Sequence, residues 1–484
     1  MKLNRYWLIP LLMVIAICLQ SSALLWAQDI PTTTNSDEAL KHYQKGVENF
    51  DNFMIPQAKD EFTQAVQIDP DMGVAYYYLY NLSVSPEEAQ GYLAKGMALA
   101  DKVSEPERLL ILSAKAGSDN NTDAAVNDLR QMATLLPKGK RAHYILANYL
   151  YGLQKWDEAE KEYKRSSEID PSYAAPYNNL AYLYSNQGRY EEALKALQKY
   201  ADARPTDANP QDSMGEICLW MGDNLNSIKH YTEALKLDSH YAPSHAGIGH
   251  NYTLMGKYTQ AREQYNLMRT KARNLTDSTT SYYWVAVSYL HEGKPEEAVS
   301  TFREQLEFCK SHNNIQMEAI IHGQLGRVYL SEEKLDQALE EVAMERQLAM
   351  DQQFQPGARA NTIMDGLFTE SMIFSKIGQK DQSVAKAAEY IKLAEESGNP
   401  LIQKNVHTLT GINAYWAKDY KLAQQELEQG NPFNQESKYY LGLCYLAMGN
   451  KAEANRLFGE IAKFNQNSII YGMYRRLAVE KSQA

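Results

Sequence analysis

The feature that most limits what this chain can fold into is a 34-residue internal period. Leu180, Ala181, Tyr184, Ala193, Leu197, Tyr200 and Pro205 have counterparts 34 positions earlier in Leu146, Ala147, Leu150, Ala159, Tyr163, Ser166 and Pro171. Shifted 34 positions later, the first six and position 205 fall on Met214, Gly215, Cys218, Ser227, Tyr231, Ala234 and Ser239. A further step reaches Ile248, Gly249, Tyr252, Ala261, Tyr265 and Met268, and Ala125, Leu129, Met132 and Pro137 hold the same slots upstream. Within each unit apolar residues recur three and four apart, the spacing of amphipathic helices. Two such runs flank a glycine at Gly188, Gly222, Gly256, Gly293, Gly378 and Gly449, where a left-handed residue closes the first helix. Pro171 and Pro205 stop second helices. Small residues such as Ala181 and Ala193 let paired helices approach, while Tyr184 and Leu197 fill the grooves beside them. One hairpin buries too little apolar surface to stand alone, whereas stacked hairpins bury both faces. The period therefore predicts an all-α chain of stacked helix pairs.

This pattern resembles the tetratricopeptide repeat, whose signature runs W-x2-L-G-x2-Y, then A-x3-F, then P. Ala58, Phe62, Ala65 and Pro70 mark a first unit, and the match weakens between Pro70 and Ser104. Downstream come Ala286, Tyr289, Ala298 and Phe302, then Leu325, Gly326, Tyr329 and Ala338, then Gly411, Ala423 and Leu427. Leu441, Gly442, Tyr445, Gly449, Ala454 and Phe458 close the series. The resemblance covers nearly the whole chain and implies a right-handed α-solenoid of about twelve helix-turn-helix repeats. The interval stays near 34 as far as Arg273 and lengthens beyond it. The expected layout is a linker over 28–37, an N-terminal array over 38–273, a C-terminal array of longer repeats over 279–465, and a capping helix and tail over 466–484. Ile469, Met473 and Leu477 would form the apolar side of that cap.

The first residues carry a different signal. Lys2 and Arg5 precede an apolar run from Trp7 to Leu19, and small residues follow at Ser21, Ser22 and Ala23. This is the layout of a signal peptide over 1–27, with cleavage after Ala23 or Ala27. An uncleaved N-terminal anchor is the alternative. Either form leads to an expectation of export, to the periplasm or envelope of a bacterium or beyond it. The cysteines past Cys18 are Cys218, Cys309 and Cys444, odd in number and far apart, so they form no disulfide framework, and Cys218 and Cys444 fall on apolar stripes.

The net charge of −11, with no basic run, lacks the electrostatic footprint of a nucleic-acid binder. There is no GxSxG, HExxH or P-loop, and GIGHNY has only two of the glycines of a dinucleotide loop. His240, His245 and His250 are spaced five apart, so neighbours point about 140° away from each other on a helix and read as core or solvated histidines. No catalysis, metal or cofactor is expected. The resemblance instead implies binding through the concave face lined by first helices. It places Tyr144, Asn148 and Tyr151 there, then Asn178 and Tyr182 with Asn179 beside them, then Asp212 and Glu216. Asn148 and Asn179 match the asparagines of a branch that clamps a C-terminal carboxylate, but that branch's basic positions are here Tyr144, Asn209 and Ser213. The expected function is an exported, non-catalytic scaffold or adaptor for a protein or peptide. The alternative is an envelope polysaccharide accessory in which tyrosines and asparagines of the groove contact glycan, the exposed tyrosines aligned as a stacking track.

Overall fold

The computed structural model describes residues 29–83, 85–397, 399–432 and 434–482. The expected export segment, 1–27, lies outside the described residues. Among the described residues the secondary structure is helical throughout, arranged as consecutive hairpins that divide into two compact units, one ending at Thr206 and one beginning at Asp207. Unit 1 holds the pairs α1 (Asp37–Asp51) and α2 (Ile55–Ile68), α3 (Gly73–Asn81) and α4 (Pro86–Leu99), α5 (Glu105–Ser118) and α6 (Thr122–Leu135), α7 (Lys140–Gly152) and α8 (Trp156–Ile169), and α9 (Ala175–Asn186) and α10 (Tyr190–Ala203). Unit 2 continues with α11 (Asn209–Trp220) and α12 (Asn224–Leu237), α13 (Ala242–Leu254) and α14 (Tyr258–Thr270), α15 (Leu275–Glu292) and α16 (Pro295–Ser311), and α17 (Ile315–Ser331) and α18 (Leu335–Ala349). It ends with α19 (Pro356–Lys376) and α20 (Lys380–Ser397), α21 (Pro400–Trp416) and α22 (Tyr420–Gln429), α23 (Gln435–Ala447) and α24 (Lys451–Ala462), and a last helix α25 (Ile469–Ser482). The helical-repeat solenoid read from the period is thus present, and α3–α4 supplies the hairpin whose signature is weak. Helices do lengthen after Arg273, to 18, 17 and 17 residues in α15, α16 and α17. The division into compact units nevertheless falls at 206/207, not in the expected 273–279 stretch.

In six hairpins of the described residues a glycine of the first helix faces a larger residue 16 positions later. A Cβ on Gly249 would lie 2.3 Å from the Tyr265 ring, one on Gly442 2.6 Å from Phe458, and one on Gly46 2.8 Å from Phe62. The paired rings are fully buried: Phe62, Tyr265 and Phe458 are each 0% exposed. A polar clamp recurs with the same regularity, 19 positions apart across the hairpin. His42 meets Glu61 and His143 meets Glu162 at 2.6 Å, His322 meets Glu341 at 2.6 Å, and His407 meets Glu426 at 2.8 Å. His245 faces Gln264 at 3.2 Å, and Gln211 faces His230 at 2.8 Å with the order reversed. The turn between the two helices carries a left-handed residue. It is glycine at the six positions read from the sequence, and Phe53, Asn120, Gln154, Glu333 or Lys418 elsewhere. Cys218, Cys309 and Cys444 are buried.

The final helix departs from the expected end cap. It packs on α24, but it also runs back along first helices α15, α17 and α23. Its buried residues are Tyr471, Gly472, Met473, Tyr474 and Ala478, so Ile469 and Leu477 flank the buried face instead of forming its centre. Gly472 is seated so closely that a Cβ there would lie 3.2 Å from His291 and Leu290. Tyr474 donates to Glu436 at 2.7 Å, and Arg475 donates to the Leu254 carbonyl at 3.2 Å. Just before the helix, Asn467 accepts from His291 Nε2 at 2.8 Å and donates to His250 Nδ1 at 3.2 Å. His250 Nδ1 also faces the Tyr265 hydroxyl at 2.9 Å. The 466–482 segment therefore lies inside unit 2, along the side lined by first helices.

Two stability predictions follow from these contacts. Gln154→Gly relieves a left-handed glutamine (φ 59°) at an exposed turn, and should raise the unfolding free energy by up to about 1 kcal/mol. Gly249→Ala forces a methyl into the Tyr265 ring and should lower it by about 1–3 kcal/mol. Denaturant titration of both variants checks the opposite signs. The third prediction concerns pH. Burial pushes His250 down to about 3, with His291 adding to the shift, and burial followed by Arg475 pushes His291 down to about 3. Released imidazoles titrate near 6.5, so the undocked form binds more protons below that value. Docking of 466–482 is then fully stabilised above about pH 6.5 and weakens as pH falls from there toward 3. Hydrogen exchange, corrected for intrinsic rates, should show protection of 469–482 dropping between about pH 7 and 5; constant protection would refute this.

Candidate functional site

In unit 1 the residues before α1 form an extended ligand to the repeats that follow. Pro31 restricts both itself and Ile30 to extended backbone. Thr34 then bonds Asp69, at the end of α2. Thr33 bonds Glu107 through its hydroxyl and through its amide at 2.9 Å, and its hydroxyl also accepts from the Ser104 amide at 3.2 Å. Glu107 and Ser104 are themselves the capping box of α5. Asp29 accepts from the Arg141 amide at 3.0 Å, in the first turn of α7, where free N–H groups favour a carboxylate. Burial lifts the Asp29 carboxyl above its ordinary range, although the Arg141 guanidinium and that backbone bond oppose the rise. One anchor thus lies at each of three successive repeat junctions, and Asp29 and Ile30 are 4% and 5% exposed.

Arg141 is the hub of this surface. Its guanidinium pairs with Asp51 at the end of α1 and donates to the Tyr78 hydroxyl at 3.0 Å. Beside it opens a cavity of about 390 Å³, lined by Asp29, Asp51, Asn52, Lys140, Tyr173 and Arg204 among others. Asp51 Oδ1, Arg141 Nε and the Tyr173 hydroxyl are buried without hydrogen-bond partners among the described residues. Buried polar atoms of this kind cost free energy until something bonds them, so the cavity suits a polar ligand.

The residues expected to line the groove are placed unevenly. Tyr144, Asn148 and Asn179 come together, but largely upon one another. Asn148 Oδ1 accepts from Tyr163 at 2.7 Å and from Asn179 at 2.8 Å, and Asn179 also reaches the Tyr144 hydroxyl at 3.2 Å. Burial pushes the Tyr144 hydroxyl up to about 12, with Asp51 adding to the rise. Tyr151 stands apart, accepting from Asn186 at 2.7 Å with its ring edge-on to Trp156. Asn178 is buried at 7% exposure, and Tyr182 is half-buried. Asp212 and Glu216 belong to unit 2, where they line a cavity of about 330 Å³ with His250, Asp277 and Trp284. There Asp212 accepts from Ser244 at 2.6 Å, and loss of solvent, joined by Glu216, pushes its carboxyl up to about 7. Sequence reasoning missed Arg141 and Glu107 because they lie in the first turns of helices, and Asp29 because it lies in the segment before α1, all outside the central groove positions. The spacing of Asp69, Ser104 and Lys140 by 35 and 36 residues marks those junctions.

Comparisons with known proteins agree with this architecture. The tetratricopeptide repeat family model matches at 141–206 in unit 1 and at 279–312 and 436–468 in unit 2. The chain is similar to the anaphase-promoting complex subunit CDC16 of Saccharomyces cerevisiae, at 24% identity over 214 residues, covering 43% of this chain and 25% of that protein. It is similar to the Hsp70-Hsp90 organizing protein 1 of Glycine max, at 29% identity over 119 residues, covering 25% of this chain and 21% of that protein. These matches span a quarter or less of the relatives' own length. Among solved structures, a tetratricopeptide repeat protein from Parabacteroides merdae aligns over 54% of this chain and 99% of its own, at 15% identity and a TM-score of 0.38. Tetratricopeptide repeat proteins mediate protein–protein interactions, and the family matches in both units, on the hairpins described above, make this chain a tetratricopeptide repeat protein.

Proposed function

We propose that this protein is an exported, non-catalytic adaptor that holds a partner polypeptide in extended form along unit 1. The observation that carries the reading is the docking of Asp29–Thr34, one anchor per repeat junction, on the surface centred on Arg141. An extended segment bound this way shows the chemistry the surface offers to another chain: helix-end N–H groups, carboxylates at Asp69 and Glu107, and the unpaired atoms around Tyr173. Export rests on Lys2, Arg5 and the apolar run with its small residues after it. It would deliver the adaptor to the periplasm, the envelope or the exterior of a bacterium.

The glycan reading finds little support, because the tyrosines are spread among the repeat cores instead of forming one open track. Tyr43, Tyr78, Tyr163, Tyr200, Tyr231 and Tyr265 are all buried. The adaptor reading is tested with a labelled peptide of residues 28–36, QDIPTTTNS. A full chain carrying Asp29→Ala, Thr33→Ala and Thr34→Ala, which loosens the internal segment, should bind it with a Kd in the range of about 1–100 μM by fluorescence anisotropy. A scrambled peptide should bind far more weakly; equal titrations would sink the proposal. Cell fractionation with N-terminal sequencing tests export separately, with Leu24 or Gln28 expected as the first residue.

A further inference from the structure

Unit 2 contains a second cavity, of about 330 Å³, walled by first helices α17, α19, α21 and α23 and by the start of α25. Its distinctive member comes from a second helix. Glu345 of α18 reaches in against α17 because Gly323 leaves room for it: a Cβ there would lie 2.2 Å from Glu345 Oε1. The side chain is 4% exposed and makes no hydrogen bond or ion pair among the described residues. Buried carboxylates normally have a partner, so a carboxyl admitted to a cavity by a glycine and left unbonded is a site awaiting its counterpart.

The rest of the lining indicates which counterpart. Asp365 lines the same space as a solvent-exposed carboxylate, and Gln324 Oε1 is a buried acceptor lacking a donor. The one cation in the wall, Arg327, is already paired with Glu436. Tyr390 adds a ring, edge-on to Phe368 with centroids 5.5 Å apart, while the Arg327 guanidinium already lies over the Phe368 ring. Unsatisfied acceptors beside aromatic rings suit an organic cation, which can donate several hydrogen bonds and rest on a π face. A metal ion is a poorer fit, since no group of three ligating side chains occurs among the described residues.

We propose that this cavity is a binding site for an organic cation, the guanidinium or ammonium of an arginine or lysine side chain on a partner polypeptide. The site is in unit 2 and does not depend on the peptide reading of unit 1. Burial, with Asp365 adding to it and Arg327 opposing it, pushes the empty Glu345 carboxyl up to about 9. Glu345 is therefore protonated when the site is empty near neutral pH. An entering cation stabilises its carboxylate, so binding releases a proton from the Glu345 carboxyl to buffer.

The test uses the full chain and calorimetry at about pH 7.5, in buffers of different ionisation enthalpy. The probes are acetyl-Gly-Arg-Gly-amide, its citrulline counterpart and agmatine. The arginine peptide should bind with net proton release, the neutral citrulline peptide should bind at least about tenfold more weakly, and Glu345→Gln should abolish the proton release. Because Gln resembles the protonated glutamic acid, that variant should melt like the parent. Asp365→Asn should weaken binding about tenfold, while Asp381→Asn, on the exposed face of α20, should leave it unchanged. Binding of agmatine without the peptide would keep the cation site but overturn a polypeptide as its source. No binding of either cation, or equal binding of arginine and citrulline peptides, would overturn the site itself.

Discussion

The rest of the structure depends on the close approach of the two helices within each hairpin. Where Gly249 faces Tyr265, Gly442 faces Phe458 and Gly46 faces Phe62, there is no room for a Cβ. The ring fills the space over the first helix, and the helices lock at one separation. Glycine in a helix interior costs roughly 1 kcal/mol relative to alanine, so burial of the facing aromatic must offset it. That burial is complete only when the next hairpin is in place, which ties each repeat's stability to its neighbour's. The His–Glu and His–Gln clamps add direction to this packing, because a hydrogen bond across the hairpin holds one register.

The repeat architecture was legible because its physics is local. A small residue, a large one 16 positions later and a turn between them all lie within a few tens of residues. What escaped was chemistry with more than one solution. At Gly188 and Gly293 the left-handed turn shows itself as glycine, but Gln154, Glu333 and Lys418 take the same conformation with ordinary side chains, so the turn leaves no mark there. The hairpin α3–α4 has a nine-residue first helix rich in tyrosine, GVAYYYLYN, which hides the signature spacing. The last helix was read as a cap because its apolar residues are helical in period. Only Gly472, out of place in a solvent-facing cap, hints that this helix lies against another backbone.

The site was legible in part, for a related reason. Tyr144, Asn148 and Asn179 do converge, as the repeat positions imply, and yet their polar atoms are spent on Tyr163 and on each other. Position along a repeat tells which residues point inward; it does not tell whether a neighbour one repeat away satisfies them. The unsatisfied atoms lie elsewhere, at Arg141, Asp51 and Tyr173 and at Glu345 in the other unit. Those depend on pairs 90 residues apart in the chain, as Arg141 and Asp51 are, and on a glycine, Gly323, whose purpose is visible only beside the carboxyl it admits.

A segment of the chain packs on each unit: Asp29–Thr34 across helix ends of unit 1, and the stretch around Asn467 and Tyr471 against first helices of unit 2. Such a segment is a tethered competitor. Over a short linker its effective concentration is of millimolar order. If its intrinsic Kd is about 0.1 mM, it weakens an outside ligand for the same surface roughly tenfold. The two segments differ in what can release them. Asp29–Thr34 is held mainly by polar anchors, which a partner offering the same groups in extended form can replace one at a time. The C-terminal helix buries Tyr471, Met473 and Tyr474, and an apolar face of that size is not surrendered residue by residue. Its weak point is instead Asn467, whose two histidines must both stay neutral. On the proposed reading, unit 1 suits exchange by competition, whereas the apolar seat of the last helix in unit 2 would release only as a whole.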